Sequence, residues 1–181
     1  MVAASMALGR IRRLILVAPV NPWSFRRRKL AVLVSGPLVA PIFETLAPYC
    51  KFAHEPFLRR LFGDVRRIRP GTLEGYMTPL KGSHALEYGL GVLRTFNEDL
   101  EMLGNVLPRI ADIPALLIWG SLDRAVDPAS AGSLRKQFKD CQLIMFEGVG
   151  HLPYEEKPEE FNRVVSEFLK SSSPVVQPRV L

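Results

Sequence analysis

The C-terminal part of this chain runs strand, helix, strand, helix, and that order constrains the fold more than any other feature. Pro114-Ala115-Leu116-Leu117-Ile118-Trp119 and Cys141-Gln142-Leu143-Ile144-Met145-Phe146 are short, largely apolar runs of strand length. Between them Pro128–Phe138 reads as a short helix, with Asp127 as its N-cap and Pro128 in its first turn. A last helix opens at Pro158. Its apolar residues Phe161, Val164, Val165, Phe168 and Leu169 fall at i, i+3, i+4, i+7 and i+8, a single core-facing stripe. Strands that alternate with helices are joined by right-handed crossovers into a parallel sheet, so the expected class is α/β.

A third strand candidate lies far upstream. Leu14–Val17, inside Arg12–Pro19, is apolar without polar alternation, as suits a parallel strand covered on both faces. Before it, Met1–Leu8 is Ala-rich and helix-prone, with Gly9 as its terminator. From Asn21 to about Arg109 strand signals are few, and short amphipathic pieces are separated by Pro and Gly. Phe57, Leu58, Leu61 and Phe62 are spaced for one helical face, and so are Leu86, Leu90, Leu93 and, less regularly, Phe96. The expected organisation is therefore a core from residues 1–20 and 110–170, an all-helical insertion over 21–109 and a flexible tail over 171–181. Three strands leave a sheet of this kind short of cover at its edges, so self-association through an exposed edge is expected.

Composition narrows the class further. A chain of 181 residues can build one sizeable core. Cys50 and Cys141 form neither a disulfide framework nor a zinc site, which fits a reducing, cytoplasmic setting. The net charge of +6 is uneven: residues 1–43 hold Arg10, Arg12, Arg13, Arg26, Arg27, Arg28 and Lys29 and no acid, which keeps mitochondrial targeting as an alternative. Leu30–Phe43 is apolar but short for a bilayer and interrupted by Gly36, Pro37 and Pro41, so a buried helix pair is expected there. Peripheral membrane contact through Arg26–Lys29 is the weaker reading. Arg66-Arg67 and the Arg26 cluster lack aromatic interleaving and a recognisable module, which argues against nucleic acid. His54 and His84 form no ligand spacing and no Gly-rich phosphate loop is present, so neither metal nor cofactor is expected.

Both C-terminal strands end in chemistry. The first runs into Gly120-Ser121-Leu122-Asp123, the second into Glu147-Gly148-Val149-Gly150-His151-Leu152-Pro153. A serine-type nucleophile needs a base, imidazole suits that role near neutrality, and a carboxylate must fix its tautomer. Groups distant in sequence meet when each sits past the carboxyl end of a strand in one parallel sheet. Asp123 and His151 satisfy that demand. Asp127 is the rival acid, but it has an alternative task as helix cap, so Asp123 is favoured. Gly148 and Gly150 would let the histidine loop turn tightly.

Ile113–Leu169 closely resembles the C-terminal part of α/β-hydrolase fold enzymes. The resemblance rests on Pro114–Asp123, Val126, Pro128, Gly148-Val149-Gly150-His151, Glu156, Pro158 and the helix to Phe168-Leu169. Arg12–Pro19 resembles the strand after the nucleophile strand and helix, Met1–Leu8 the helix behind the nucleophile elbow, and the intervening region a helical cap. The resemblance implies Asp123 as triad acid, His151 as general base, and an ester or related small molecule as substrate of the full-length parent. Trp23, Phe25 and Tyr154 are candidate substrate-pocket residues. The family's Gly-x-Ser-x-Gly elbow has no counterpart: no serine has glycine at both −2 and +2, Ser5 having Ala3 and Ala7, and Ser130 having Pro128 and Gly132. The expectation is the C-terminal half of an α/β-hydrolase fold, without the nucleophile-bearing half and inactive alone. The alternative is a catalytically inactive relative that serves as a binding or regulatory partner.

Overall fold

The computed structural model describes residues 1–24, 54–79, 85–171 and 179–180. Its centre is a parallel sheet. β1 (Leu14–Val17) pairs with β2 (Ala115–Gly120), and β2 pairs with β3 (Cys141–Phe146). A short β4 (Arg179–Val180) adds alongside Ile144 and Met145 of β3, which takes part of the expected tail into the sheet. The order is β1-β2-β3-β4.

β2 meets the sequence expectation in full, since all six of its residues are buried. β1 differs: its four residues are only half-buried. Among the described residues β1 pairs with β2 alone, so its other edge and part of its faces stay open. At its end the chain turns sharply through Ala18, whose φ of 41° is left-handed, a conformation costly for a residue with a Cβ. The Ala18 amide is nevertheless held by the Ile118 carbonyl at 2.8 Å.

Helices cover the two faces. On one face, Leu117, Trp119, Leu134 and Phe138 pack with Leu107 and Ile110. On the other, Leu116, Ile118, Ile144 and Phe146 pack with Val164 and Phe168 of α7 (Pro158–Lys170). This helix starts with Pro158, Glu159 and Glu160 and ends with Lys170, each suited to its place on the helix dipole. Arg13, entering β1, donates to the carbonyls of Phe168 and Ser171 and lies 5.3 Å from the Phe168 ring centre, so it caps the helix and packs on it. Leu169 does not join the expected stripe and is exposed, one residue before the helix ends at Lys170.

The remaining helices are α1 (Val2–Met6), α2 (His54–Arg59), α3 (Thr72–Met77), α4 (Ala85–Val106), α5 (Ala131–Arg135) and the short α6 (Pro153–Glu156). Gly9 lies inside a 3-10 turn over Leu8–Arg10 rather than ending α1. The expected helix over 128–138 is a 3-10 turn (Pro128–Ser130) followed by α5, and Asp127 caps it by accepting from the Ala129 amide at 3.1 Å. Between Asn21 and Arg109 every described element is helical, as expected. Two details differ. Phe57 is exposed while Leu58 and Phe62, four residues apart, are buried, so the apolar face is narrower than expected. Leu107, inside the expected insertion, already belongs to the main core. Phe25, Cys50, His84, the Arg26–Lys29 run and Leu30–Phe43 lie outside the described residues. Among the described residues no helix is long and apolar enough to cross a membrane.

Candidate active site

The sheet register sets the site. Gly120 at the end of β2 lies opposite Phe146 at the end of β3, so the two loops leave the sheet side by side. They are then laced together: Ser121 N donates to Phe146 O at 3.0 Å and Leu122 N to Val149 O at 2.9 Å. Ser121 Oγ accepts from Gly148 N at 2.9 Å. Gly148 has φ of 68°, which only glycine adopts without strain.

This lacing brings Asp123 and His151 together. His151 Nδ1 lies 2.8 Å from Asp123 Oδ2. The Asp123 side chain is fully buried and that of His151 is one quarter exposed. Asp123 Oδ1 accepts from the amides of Ala125 at 2.7 Å and Val126 at 2.9 Å. The carboxylate is thus satisfied by two backbone donors on one oxygen and the imidazole on the other. Buried charge is tolerated when it is hydrogen-bonded in this way. With Nδ1 engaged, Nε2 is the ring nitrogen left for proton transfer. Asp127 instead serves its own helix turn, so the structure separates the two acids.

Three residues singled out for a pocket fare differently. Trp23 is half-buried against the main core, with its amide donating to Asn21 Oδ1 at 3.0 Å. Tyr154 is partly exposed and packs edge-to-face on Phe161, ring centres 5.9 Å apart. Phe25 is outside the described residues. Ser5 and Ser130 are buried, and their hydroxyls donate to the carbonyls of Val2 and Asp127. Ser130 also joins a buried polar cluster in which Asn21 Nδ2 donates to Ser130 Oγ at 3.0 Å and to Pro19 O at 3.0 Å. That cluster ties the turn after β1 to the segment after Asp123.

A second set of contacts surrounds the histidine loop and comes from residues 61–76. His151 N donates to Leu61 O at 2.6 Å. Glu156, whose side chain is fully buried, accepts from Gly150 N at 2.7 Å, Gly63 N at 2.9 Å and Asp64 N at 3.1 Å. Arg67 donates to Gly148 O at 3.1 Å and lies 3.6 Å from Glu156 Oε2. Tyr76 donates to Glu155 at 3.0 Å. Burial, with the Tyr154 hydroxyl and the Glu155 carboxylate beside it, raises the Tyr76 phenol well above its ordinary range, so it stays a donor. The Arg66 side chain and amide hold the exposed Asp64 carboxyl down to about 2. None of these residues shows a sequence pattern beyond a charged loop. The one available signal was Glu156 itself, an acid between the histidine loop and the last helix.

Among the described residues no group of three or more His, Cys, Asp or Glu is placed to hold a metal. A concavity of about 570 Å³ lies elsewhere, lined by Gly132, Arg135, Phe138, Cys141 and Leu143. Cys141 opens β3, whereas His151 follows its far end, so this hollow is at the opposite end of the strand from the acid–base pair. Burial pushes the Cys141 thiol up to about 12, which makes it a poor nucleophile.

The comparisons with known proteins agree with this geometry. A family model described as "Alpha/beta hydrolase family" matches residues 1–164. Lipase 1 of Psychrobacter immobilis is 38% identical over 48 residues, covering 26% of this chain and 15% of the lipase. The pimeloyl-[acyl-carrier protein] methyl ester esterase of Aeromonas hydrophila is 26% identical over 106 residues, covering 59% of this chain and 38% of the esterase. Among solved structures, Cfl2 from Burkholderia cenocepacia superposes with a TM-score of 0.72 at 18% identity, covering 92% of this chain and 60% of that one. This chain thus spans less than two thirds of the length of each of these relatives. A sheet with this register, an acid and a histidine past adjacent strands, and a family match over nearly the whole sequence place the chain in the α/β-hydrolase family.

Proposed function

We propose that this chain carries the acid and base of an ester hydrolase, with Asp123 orienting His151 and the nucleophile supplied from outside these 181 residues. The observation that carries the reading is the 2.8 Å contact between a fully buried, doubly amide-bonded Asp123 and a part-exposed His151. In such a pair the carboxylate fixes the tautomer with Nδ1 protonated and stabilises the imidazolium as Nε2 takes the nucleophile's proton. The similarity to a lipase and to a methyl ester esterase favours an ester as substrate. The edge of β1 that no described strand pairs is where a nucleophile-bearing strand would lie, and the helical insertion would act as the cap over the substrate.

The test is made on the endogenous protein. Its intact mass and N-terminal sequence are determined, it is labelled with a fluorophosphonate, and turnover of short p-nitrophenyl esters is measured. The expected result is a product longer than 181 residues, with label on the serine of a Gly-x-Ser-x-Gly elbow and turnover abolished by His151→Ala. A native product that takes no label and turns over no ester would sink the hydrolase reading. It would favour an inert relative that binds a partner.

A further inference from the structure

We infer that Glu156 is the positioning residue of the histidine loop, locking it onto residues 61–64 so that the helical insertion sets the place of the imidazole; this rests on the reading of His151 as the base. The loop has little of its own to hold it. Gly148-Val149-Gly150 carries two glycines, and the only side chain in it, Val149, points into the core below. Ser121, Leu122 and Arg67 hold Gly148 and Val149, and the amide next to His151, that of Gly150, is held by a single carboxylate. Glu156 Oε1 receives Gly150 N at 2.7 Å and, from the other side, Gly63 N at 2.9 Å. Its Oε2 receives Asp64 N at 3.1 Å and faces Arg67 at 3.6 Å. One residue further, His151 N donates directly to Leu61 O at 2.6 Å.

These bonds join backbones that already touch. A Cβ on Gly150 would come within 2.3 Å of Leu61 O and 2.5 Å of Gly63 N, and one on Gly63 within 2.7 Å of Gly150 N. A Cβ on Gly120 would reach 2.0 Å from Gly150 O. At Gly63, Gly120 and Gly150 three chain segments approach main chain to main chain, leaving no room for a Cβ. Amide groups brought this close present donors to one another's neighbourhood, and buried donors need an acceptor. Glu156 supplies it for three of them at once. An ionised carboxylate is suited to this because it accepts only, and at both oxygens. The consequence is that residues 61–64 are a brace for the base and cannot swing away from it without moving His151. A shift of the imidazole by about 1 Å is enough to cost on the order of 100-fold in turnover.

The experiment uses the native product, isotope-labelled, as wild type, Glu156→Gln and Glu156→Asp. Glutamine keeps the shape but places an amide donor against backbone donors. Three quantities are read: amide exchange of Gly63, Asp64 and Gly150, the NMR resonance of the His151 Nδ1 proton, and kcat and KM for a short ester. In Glu156→Gln the three amides are expected to exchange about 10- to 100-fold faster, as befits loss of one charge-assisted acceptor. The Nδ1 proton signal should broaden or shift upfield, and kcat should fall about 10- to 100-fold with KM within about twofold. Glu156→Asp should restore part of each. Should Glu156→Gln not fold, Arg67→Ala serves instead: its side chain is one third exposed, and its loss should speed Gly150 exchange and weaken the same proton signal to a smaller degree. An unchanged Nδ1 proton and unchanged Gly150 exchange in the folded variant would overturn the inference. So would a fall in kcat that tracks thermal stability alone, with aspartate giving no recovery. If the wild type turns over no ester, the hydrolase reading fails, and the exchange and Nδ1 measurements still decide the role of Glu156.

Discussion

β2 and α4 are attached to this molecule in opposite ways. All six residues of β2 are buried, paired to β1 on one side and β3 on the other, with side chains filling both core clusters. The 22-residue α4 leaves Tyr88 and Val92 exposed and buries Leu100, Leu103 and Val106 toward its C-terminal end. The strand is held along its whole length by apolar burial. Among the described residues between 54 and 109, the contacts are those last apolar turns, buried Leu58 and Phe62, and the polar contacts of residues 61–76 with the histidine loop. The Asp123–His151 pair sits where the two regimes meet. Asp123 is positioned by the sheet and its own loop, whereas His151 is positioned by the sheet and the insertion together.

That contrast can be broken at its meeting point first. Gly120→Ala should have the largest effect, because a Cβ there lands 2.0 Å from Gly150 O and neither main chain can yield. We expect loss of about 4 kcal/mol or more, or no cooperative melt, by urea denaturation. Retention of a wild-type transition would mean that the two loops are not in backbone contact.

Asp123→Asn tests the chemical half of the seam. Asn keeps an oxygen for the Ala125 and Val126 amides but turns an NH2 toward Nδ1, which favours the wrong tautomer. On the proposed reading, ester turnover by the native product should drop about 10⁴-fold in kcat with the fold intact. A drop below about tenfold would remove Asp123 from the triad and reopen the case for Asp127.

Trp119→Ala probes the buried side of the comparison. The indole is fully buried and donates to Val126 O at 3.3 Å. Truncation should cost about 3–5 kcal/mol in urea or thermal unfolding. Tyr88→Ala probes the exposed side and should change stability by no more than about 0.5 kcal/mol. A cost above about 1 kcal/mol at Tyr88 would show that the outer half of α4 is packed, and the distinction between the two regions would narrow.

Much of this arrangement is written locally in the chain. The three main strands, the run of α7 from Pro158, the capping by Asp127 and the two site loops all follow from short apolar runs, proline and glycine placement and 3.6-residue periodicity. These signals act over a few residues, so they survive without knowledge of what lies opposite. That Asp123 and His151 meet is legible because each follows directly on its strand, and a parallel sheet brings such ends together. Tertiary structure decided the rest. Phe57 and Leu169 carry the right residue type at the right spacing and still face solvent, because which side of a helix is covered depends on what packs against it. β1 is apolar throughout yet half-buried, because burial depends on its neighbours rather than on its own pattern. The brace of Leu61, Gly63 and Asp64 against Gly150 and His151 joins segments far apart in sequence through backbone amides and carbonyls, which are the same in every residue, and the one side chain they share, that of Glu156. Glu156 stands in the sequence only as part of the family motif, with no role attached; the fold encloses it and turns its carboxylate toward three amides.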